Sequence, residues 1–277
     1  MQNISIMTNL VVYCASAYNL KVLDKLPSYI KPIGIGGANF PNHWLTEKVG
    51  ENISKLNKFY GEHSAIYWVW KNKLNEMNDS DWIGFCHYRK LWLNNLYKKK
   101  QKNTFSNLYS NLLKPNNSIF KNSDVVLIQP IMLKKDTVFE QFDKVHKNNI
   151  LRDCVDLLGS NEREEFQKYL GGKTLYPLNL FITKKYIFEK YCEDVFPWLK
   201  KCLEYCRDRN LTTGYNIRIP SFLSERYMSF WFSKYKKKNF LSYARLGSFM
   251  LSNNVNSFIN PIKIPFTFRM YPTLHDY

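Results

Sequence analysis

Residues 81–92 read DWIGFCHYRKLW. A short apolar run, Trp82 to Phe85, leads directly into His87, Tyr88, Arg89 and Lys90. An imidazole, a phenol, a guanidinium and an ammonium in consecutive places at a strand end suit an anion. A guanidinium gives paired hydrogen bonds to phosphate oxygens, and fixed cations can take the charge of a departing diphosphate in place of a metal ion. The competing reading is a cluster of surface salt bridges.

Three further stretches carry chemistry-bearing residue types. Asp79-Ser80-Asp81 has the form of a pair that holds a divalent ion in sugar-nucleotide transferases. There the pair follows a strand; here it precedes one, beside Asn78, and predicts a turn. No metal site is assigned. Gly34-Ile35-Gly36-Gly37 does not complete GxGxxG, and no helix pattern begins behind it. It predicts a turn, with Gly36 kept as a donor-side position. In SFLSERYMSFW, 221–231, Glu225 and Arg226 fall in the first turn or so of an amphipathic helix. A lone carboxylate among cations stays ionised and can act as a general base. The plainer reading is a helix-start carboxylate paired with an arginine.

The formal charge is +17 over 277 residues, and it is concentrated. Eight Lys or Arg and no acid lie between Arg89 and Lys121, and eight more with no acid between Arg226 and Arg269. Localised positive charge points to an anionic partner: a diphosphate, a phosphate-rich lipid surface or nucleic acid. A solvated lysine-rich face is the bland alternative. The six cysteines, at 14, 86, 154, 192, 202 and 206, form no CxxC pair. They predict buried thiols in a reducing cytoplasm. MQNISIMTNLVVYCAS lacks a basic head, so no secretory signal is expected.

Strands that alternate with helices position these residues. Strands are predicted at 4–15, 82–86, 124–129 and 174–183, the last with an edge or bulge at Pro177. Helices are predicted at 62–77, 136–146, 148–158, 161–170, 184–208 and 221–235, and 29–41 is expected to be a loop. The pattern implies an α/β domain with a mostly parallel sheet flanked by helices. Ligands bind beyond the carboxyl ends of such strands, where His87, Tyr88 and Arg89 would stand.

Five segments in order resemble a known family. YIKPIGIGGA, VGENISKLNKFYGEHSAIYWVWKN, DWIGFCHYRKLW, PLNLFITKKYIFEKYCEDVFPWL and FLSERYMSFW are similar to the bacterial polysaccharide-biosynthesis glycosyltransferases with a DUF4422-type domain. By position, Gly50, Asn52, Glu62, Trp68, Trp70, Lys71, His87, Tyr88, Arg89, Asn179, Glu225 and Arg226 match the family pattern. Glu51, His63-Ser64, Lys90 and Leu91-Trp92 depart from it, and Cys14-Ala15-Ser16 lacks the Thr-His-Lys often seen after the first strand.

The resemblance implies a single Rossmann-like domain of the GT-A type over 1–277. Its expected parts are a nucleotide-sugar-binding half (1–130), an acceptor half (131–235) and an irregular basic and aromatic segment (236–277). It implies transfer from a UDP-sugar, galactofuranose by preference, to a growing lipid-linked surface polysaccharide with inversion. Glu225 is expected as base; Gly36, Asn52, His87, Tyr88 and Arg89 as donor contacts; Trp68, Asn179 and Arg226 as acceptor contacts. No cofactor is assigned beyond the donor, and a divalent metal is doubtful. The expected setting is cytoplasmic, at the inner face of an anionic plasma membrane. The rivals are a nucleic-acid-binding protein that stacks bases on its Tyr and Phe, for which no recognition signature is present, and a non-catalytic scaffold on anionic lipid.

Overall fold

The computed structural model describes residues 9–94, 105–236 and 241–248. The lysine run at 98–102, residues 237–240 and everything from 249 onward lie outside the described residues, and with them much of both basic tracts.

One side of the sheet is parallel: β1 (Leu10–Ser16), β2 (Ile30–Gly34), β3 (Leu45–Thr46) and β4 (Trp82–His87), in the order β3-β2-β1-β4. Along β1, Leu10, Val12 and Cys14 enter one core, while Tyr13 and Ala15 enter the other. That is the period-two alternation of a strand covered on both faces. Two short helices, α1 (Asn57–Tyr60) and α2 (His63–Asn72), lead from β3 towards β4.

Next, β5 (Lys90–Leu93) folds back antiparallel on β4. His87 pairs with Lys90, so Tyr88 and Arg89 form the tip of a two-residue hairpin. After α3 (Phe105–Ser110) come β6 (Val125–Ile128) and β7 (Ile131–Met132), and then α4 (Val138–His146), α5 (Ile150–Val155) and α6 (Ser160–Leu170). β8 (Thr174–Leu175) pairs with β7 in a small second sheet. The chain closes its described part with β9 (Phe181–Lys184), α7 (Lys185–Asp208), α8 (Ile219–Lys236) and β10 (Leu241–Ser248).

The large sheet has a closed circuit in it. Trp82–Gly84 of β4 pair with β9, and His87 pairs with β5; β5, β10, β6 and β9 then follow one another. Where β4 passes from one partner to the other, Trp92 Nε1 donates to the Phe85 carbonyl at 2.8 Å. Close packing of β4 on β9 also explains Gly84. A Cβ there would lie 2.7 Å from Ile182 Cγ1.

Three expectations about strands change. The segment 29–41 is not all loop, because it contains β2. Pro32 is tolerated there since β3 pairs only with Ile33 and Gly34, which leaves the edge beside Pro32 open. The stretch 174–183 is two short strands, divided by Leu178 and Asn179 at φ 77° and 51°. The last segment is not wholly irregular: Leu241–Ser248 is a strand between β5 and β6, placed by pairing partners far away in sequence. One sheet therefore draws strands from all three of the expected segments.

α8 is buried on nearly every side, with Leu223, Tyr227, Met228 and Phe232 in the aromatic core and Ser221, Ser224 and Ser229 also buried. It is a central helix, not the amphipathic surface helix its first residues suggested. All six cysteines are free and buried. Among the described residues no helix is long and apolar enough to cross a membrane.

Candidate functional site

The carboxyl ends of β1, β2, β3 and β4 share one edge of the sheet, and polar side chains collect there. At the β2 end, the Gly36 amide donates to Glu47 Oε1 at 2.7 Å, just beyond β3. Glu47 is fully buried, and burial pushes its carboxyl up in spite of the Ser64 hydroxyl and the Gly36 amide. Asn57 Nδ2 donates to Ser64 Oγ at 2.7 Å. This chain of contacts ties the glycine loop to the start of α2.

Glu62 stands at that start and is the focus of the edge. Its Oε2 accepts from Arg218 Nη2 at 3.0 Å, and its Oε1 accepts from Asn179 Nδ2 at 3.4 Å. His87 Nε2, at the end of β4, lies 3.9 Å from the same Oε1 and has no hydrogen-bond partner. Gly61 makes this possible. It adopts φ 55°, and a Cβ there would meet Arg218 Nη2 at 2.3 Å, so a side chain would bar Arg218 from the carboxylate.

The charges around Glu62 set its protonation. Burial alone would favour the neutral acid, but the facing His87 ring and the Arg218 guanidinium outweigh it and hold Glu62 below the usual carboxylate value. Burial lowers His87, and Arg218, Arg89 and Lys90 add to the effect against the pull of Glu62. A carboxylate anion thus faces a neutral imidazole at neutral pH. His63, one residue on, is wholly buried and hydrogen-bonded through Nδ1 to Ser224 Oγ at 3.2 Å. Burial lowers it to about 4.

The hairpin tip lies on the same edge. The Tyr88 amide donates to the Ala15 carbonyl at 3.1 Å, which docks the tip against the end of β1. Arg89 Cζ sits 5.0 Å from the centre of the Tyr88 ring, and the Tyr18 and Tyr88 rings meet edge to face at 5.3 Å. Burial and the neighbouring Arg89 lower Lys90.

The other predicted residues fall into two groups. Asn179 joins the site through Glu62. Glu225 and Arg226 lie beneath it. Glu225 Oε1 accepts the Leu178 amide at 2.6 Å, Oε2 accepts from Arg226, and Arg226 also donates to Gln141. Both are at least 95% buried. The Glu225 side chain is only 5% exposed, against 18% for that of Glu62, so an incoming hydroxyl reaches Glu62 more readily and the base expected at Glu225 does not fit this geometry. Its work here is to clamp the turn that presents Asn179.

Trp68 is buried and donates through Nε1 to the Val49 carbonyl at 2.6 Å, so it supports a loop and is no wall of the crevice. Asn52 is spent in a local turn: Nδ2 donates to the Gly50 carbonyl at 2.8 Å and Oδ1 accepts the Ser54 amide at 3.1 Å. Asp79 and Asp81 lie at the amino end of β4, opposite the site. Asp79 pairs with Lys185 at 3.0 Å, and Asp81 accepts the Asn78 amide at 2.9 Å.

In the sequence Glu62 is marked only as a position that matches the family pattern, and Arg218 and Glu47 are not marked at all. The signal for Glu62 is an acid at a helix start behind a glycine, which a simple cap would produce equally well. Nothing local marks Arg218, 156 residues away in sequence.

A mixed, mostly parallel sheet flanked by helices, with its polar cluster at the carboxyl ends of the parallel strands, defines a GT-A-like α/β fold. Residues 12–238 match the family described as a domain of unknown function, DUF4422, and the chain belongs to that family. Among solved structures it is similar to the apo structure of the WbbM bifunctional glycosyltransferase, with a TM-score of 0.67 and 22% sequence identity. The match covers 92% of this chain and 48% of the other, so this chain spans about half the length of that protein. Comparison with curated proteins gives no match.

Proposed function

We propose that this protein is a glycosyltransferase that moves a sugar from a nucleotide sugar to an acceptor hydroxyl. One observation carries the reading: on a GT-A-like sheet, the Glu62 carboxylate stands 3.9 Å from His87 Nε2, beside a hairpin tip that presents Tyr88 and Arg89. Arg89, with Lys90 behind it, neutralises the diphosphate, and Gly36 and Tyr88 border the donor. His87 lies between the diphosphate and the carboxylate. Asn179 faces the acceptor side, while Arg226, Trp68 and Asn52 act through the turns and loops they hold.

The reaction needs one base. The acceptor oxygen attacks the anomeric carbon, and the bond from that carbon to the diphosphate oxygen breaks. Its electron pair leaves with the nucleoside diphosphate, and Glu62 takes the hydroxyl proton. Direct attack of this kind inverts the anomeric centre. The motif resemblance supports UDP-galactofuranose as donor and a growing lipid-linked surface polysaccharide as acceptor. The basic tracts support contact with an anionic membrane at its cytoplasmic face.

The test is a thermal-shift panel of UDP, GDP, CDP and dTDP sugars, with and without Mn²⁺, followed by assay of released nucleoside diphosphate. UDP-sugars should raise the melting temperature and yield UDP when acceptor is added. Stabilisation by none of the four classes overturns the reading.

A further inference from the structure

The short turn that supplies Arg218 to Glu62 also carries the outer ring of an aromatic stack. The 3₁₀ turn Gly214–Arg218 carries Tyr215 and Arg218 three residues apart. In a 3₁₀ helix such residues eclipse one another, about 6 Å apart along the axis. Arg218 is fixed to Glu62 at 3.0 Å, so Tyr215 is anchored one 3₁₀ turn from the residue that grips that carboxylate. Burial pushes its phenol up, and the charges of Arg226, Glu225 and Arg218 act on it to a lesser degree.

The stack is built from below. The Tyr215 ring lies parallel to the His146 imidazole, 5.5 Å between centres at 7°, and His146 rests on Phe142 and Phe222 at 4.3 and 4.5 Å. Asn216 locks His146 twice, with its Oδ1 2.8 Å from His146 Nδ1 and its Nδ2 donating to the His146 carbonyl at 3.0 Å. The chain leaves His146 through three successive residues of positive φ, Lys147, Asn148 and Asn149, at 57°, 59° and 53°. Strained backbone of this kind persists where surrounding structure holds it. Tyr215 also packs on Phe222, 4.9 Å between ring centres, and with both ring neighbours in place it is still 42% exposed.

We infer that Tyr215 is a stacking platform for a sugar ring of the acceptor, which brings the reactive hydroxyl to Glu62. A sugar ring offers an apolar C–H face and a rim of hydroxyls. A rigid aromatic face beside a carboxylate, a guanidinium and side-chain amides matches both parts. The inference rests on the transferase reading and adds the place of the acceptor and the residue that holds it.

The experiment measures affinity for a panel of synthetic octyl glycosides by saturation-transfer NMR, with UDP-sugar stabilisation followed in parallel. Wild type should bind at least one glycoside. Tyr215→Phe should bind it within about twofold, and Tyr215→Ala should weaken it about tenfold with donor stabilisation unchanged. Tyr215→Gln, which keeps bulk without a ring, should behave as Tyr215→Ala and serves if the alanine variant is unstable. Equal binding by the ring-less variants overturns the platform, as does a wild type that binds none of the panel. Either result leaves the transferase reading standing when UDP-sugars still stabilise the protein. Loss of that stabilisation in wild type removes both.

Discussion

Glu225 Oε1 accepts the Leu178 amide at 2.6 Å, and Leu178 sits at φ 77°, a conformation an aliphatic residue rarely holds. The bond joins a central helix to the turn between two strands. Asn179, next in the chain and also left-handed, is thereby turned towards Glu62. Glu225→Gln keeps the volume but leaves Arg226 without its counter-charge. Breaking a buried pair from one side costs about 3–5 kcal/mol. Urea unfolding should show that loss, whereas the folded variant should keep the acidic limb of the wild-type pH–rate profile, on which the base takes up its proton. A variant of full stability and abolished turnover would return the base role to Glu225.

Glu62 carries the opposite expectation. Glu62→Gln should lower kcat by about 10²–10⁴-fold, with UDP-sugar affinity changed by only a few-fold. Single-turnover kinetics set beside calorimetric titration check both numbers.

Arg89→Ala should act on the donor. Removal of a charge-assisted contact costs about 1.5–3 kcal/mol, so the Kd for UDP should rise about 10- to 100-fold. Isothermal titration measures it, and unchanged affinity would move the diphosphate away from the hairpin tip.

Acid should destabilise the fold in a defined window. Burial lowers His63 to about 4 and His146 to about 4, from 6.5, against the opposing pull of Glu62 on the first and Asn216 on the second. Below 6.5 the unfolded chain takes protons that the folded one refuses, so stability falls as pH drops from 6.5 towards 4. Glu62, held low in the folded state, extends the loss further down. Near pH 5 these two histidines should add about two protons on unfolding. His146→Phe should remove about one of them, as read from the pH dependence of urea midpoints.

Gly84→Ala tests the split in the sheet. The added methyl would meet Ile182 Cγ1 at 2.7 Å. Overpacking of this kind costs about 1–3 kcal/mol, visible as a lower melting temperature.

Much of the scaffold is legible locally. Periodicity marks α7, α8 and the strand at Trp82, because each carries its own buried pattern. β2 and β10 are not legible: one hides behind Pro32 and the glycines, the other in a polar, basic stretch, and both are strands because of the partners they meet. The same division runs through the site. The cluster His87-Tyr88-Arg89 is written contiguously, and its place at a strand end follows from the residues before it. Glu62 and Glu225 look alike in sequence, two acids near helix starts.

From its residues alone, this protein is an α/β domain with cations at the lip of a strand, since local pattern dictates elements and their ends. Only the folded chain decides which carboxylate faces the crevice. α8 is buried on nearly every side, so Glu225 meets Arg226 and a backbone amide. α2 begins at the sheet's edge, so Glu62 meets His87 and, past a glycine that makes room, Arg218. Burial and long-range partners choose between two acids that spacing cannot tell apart.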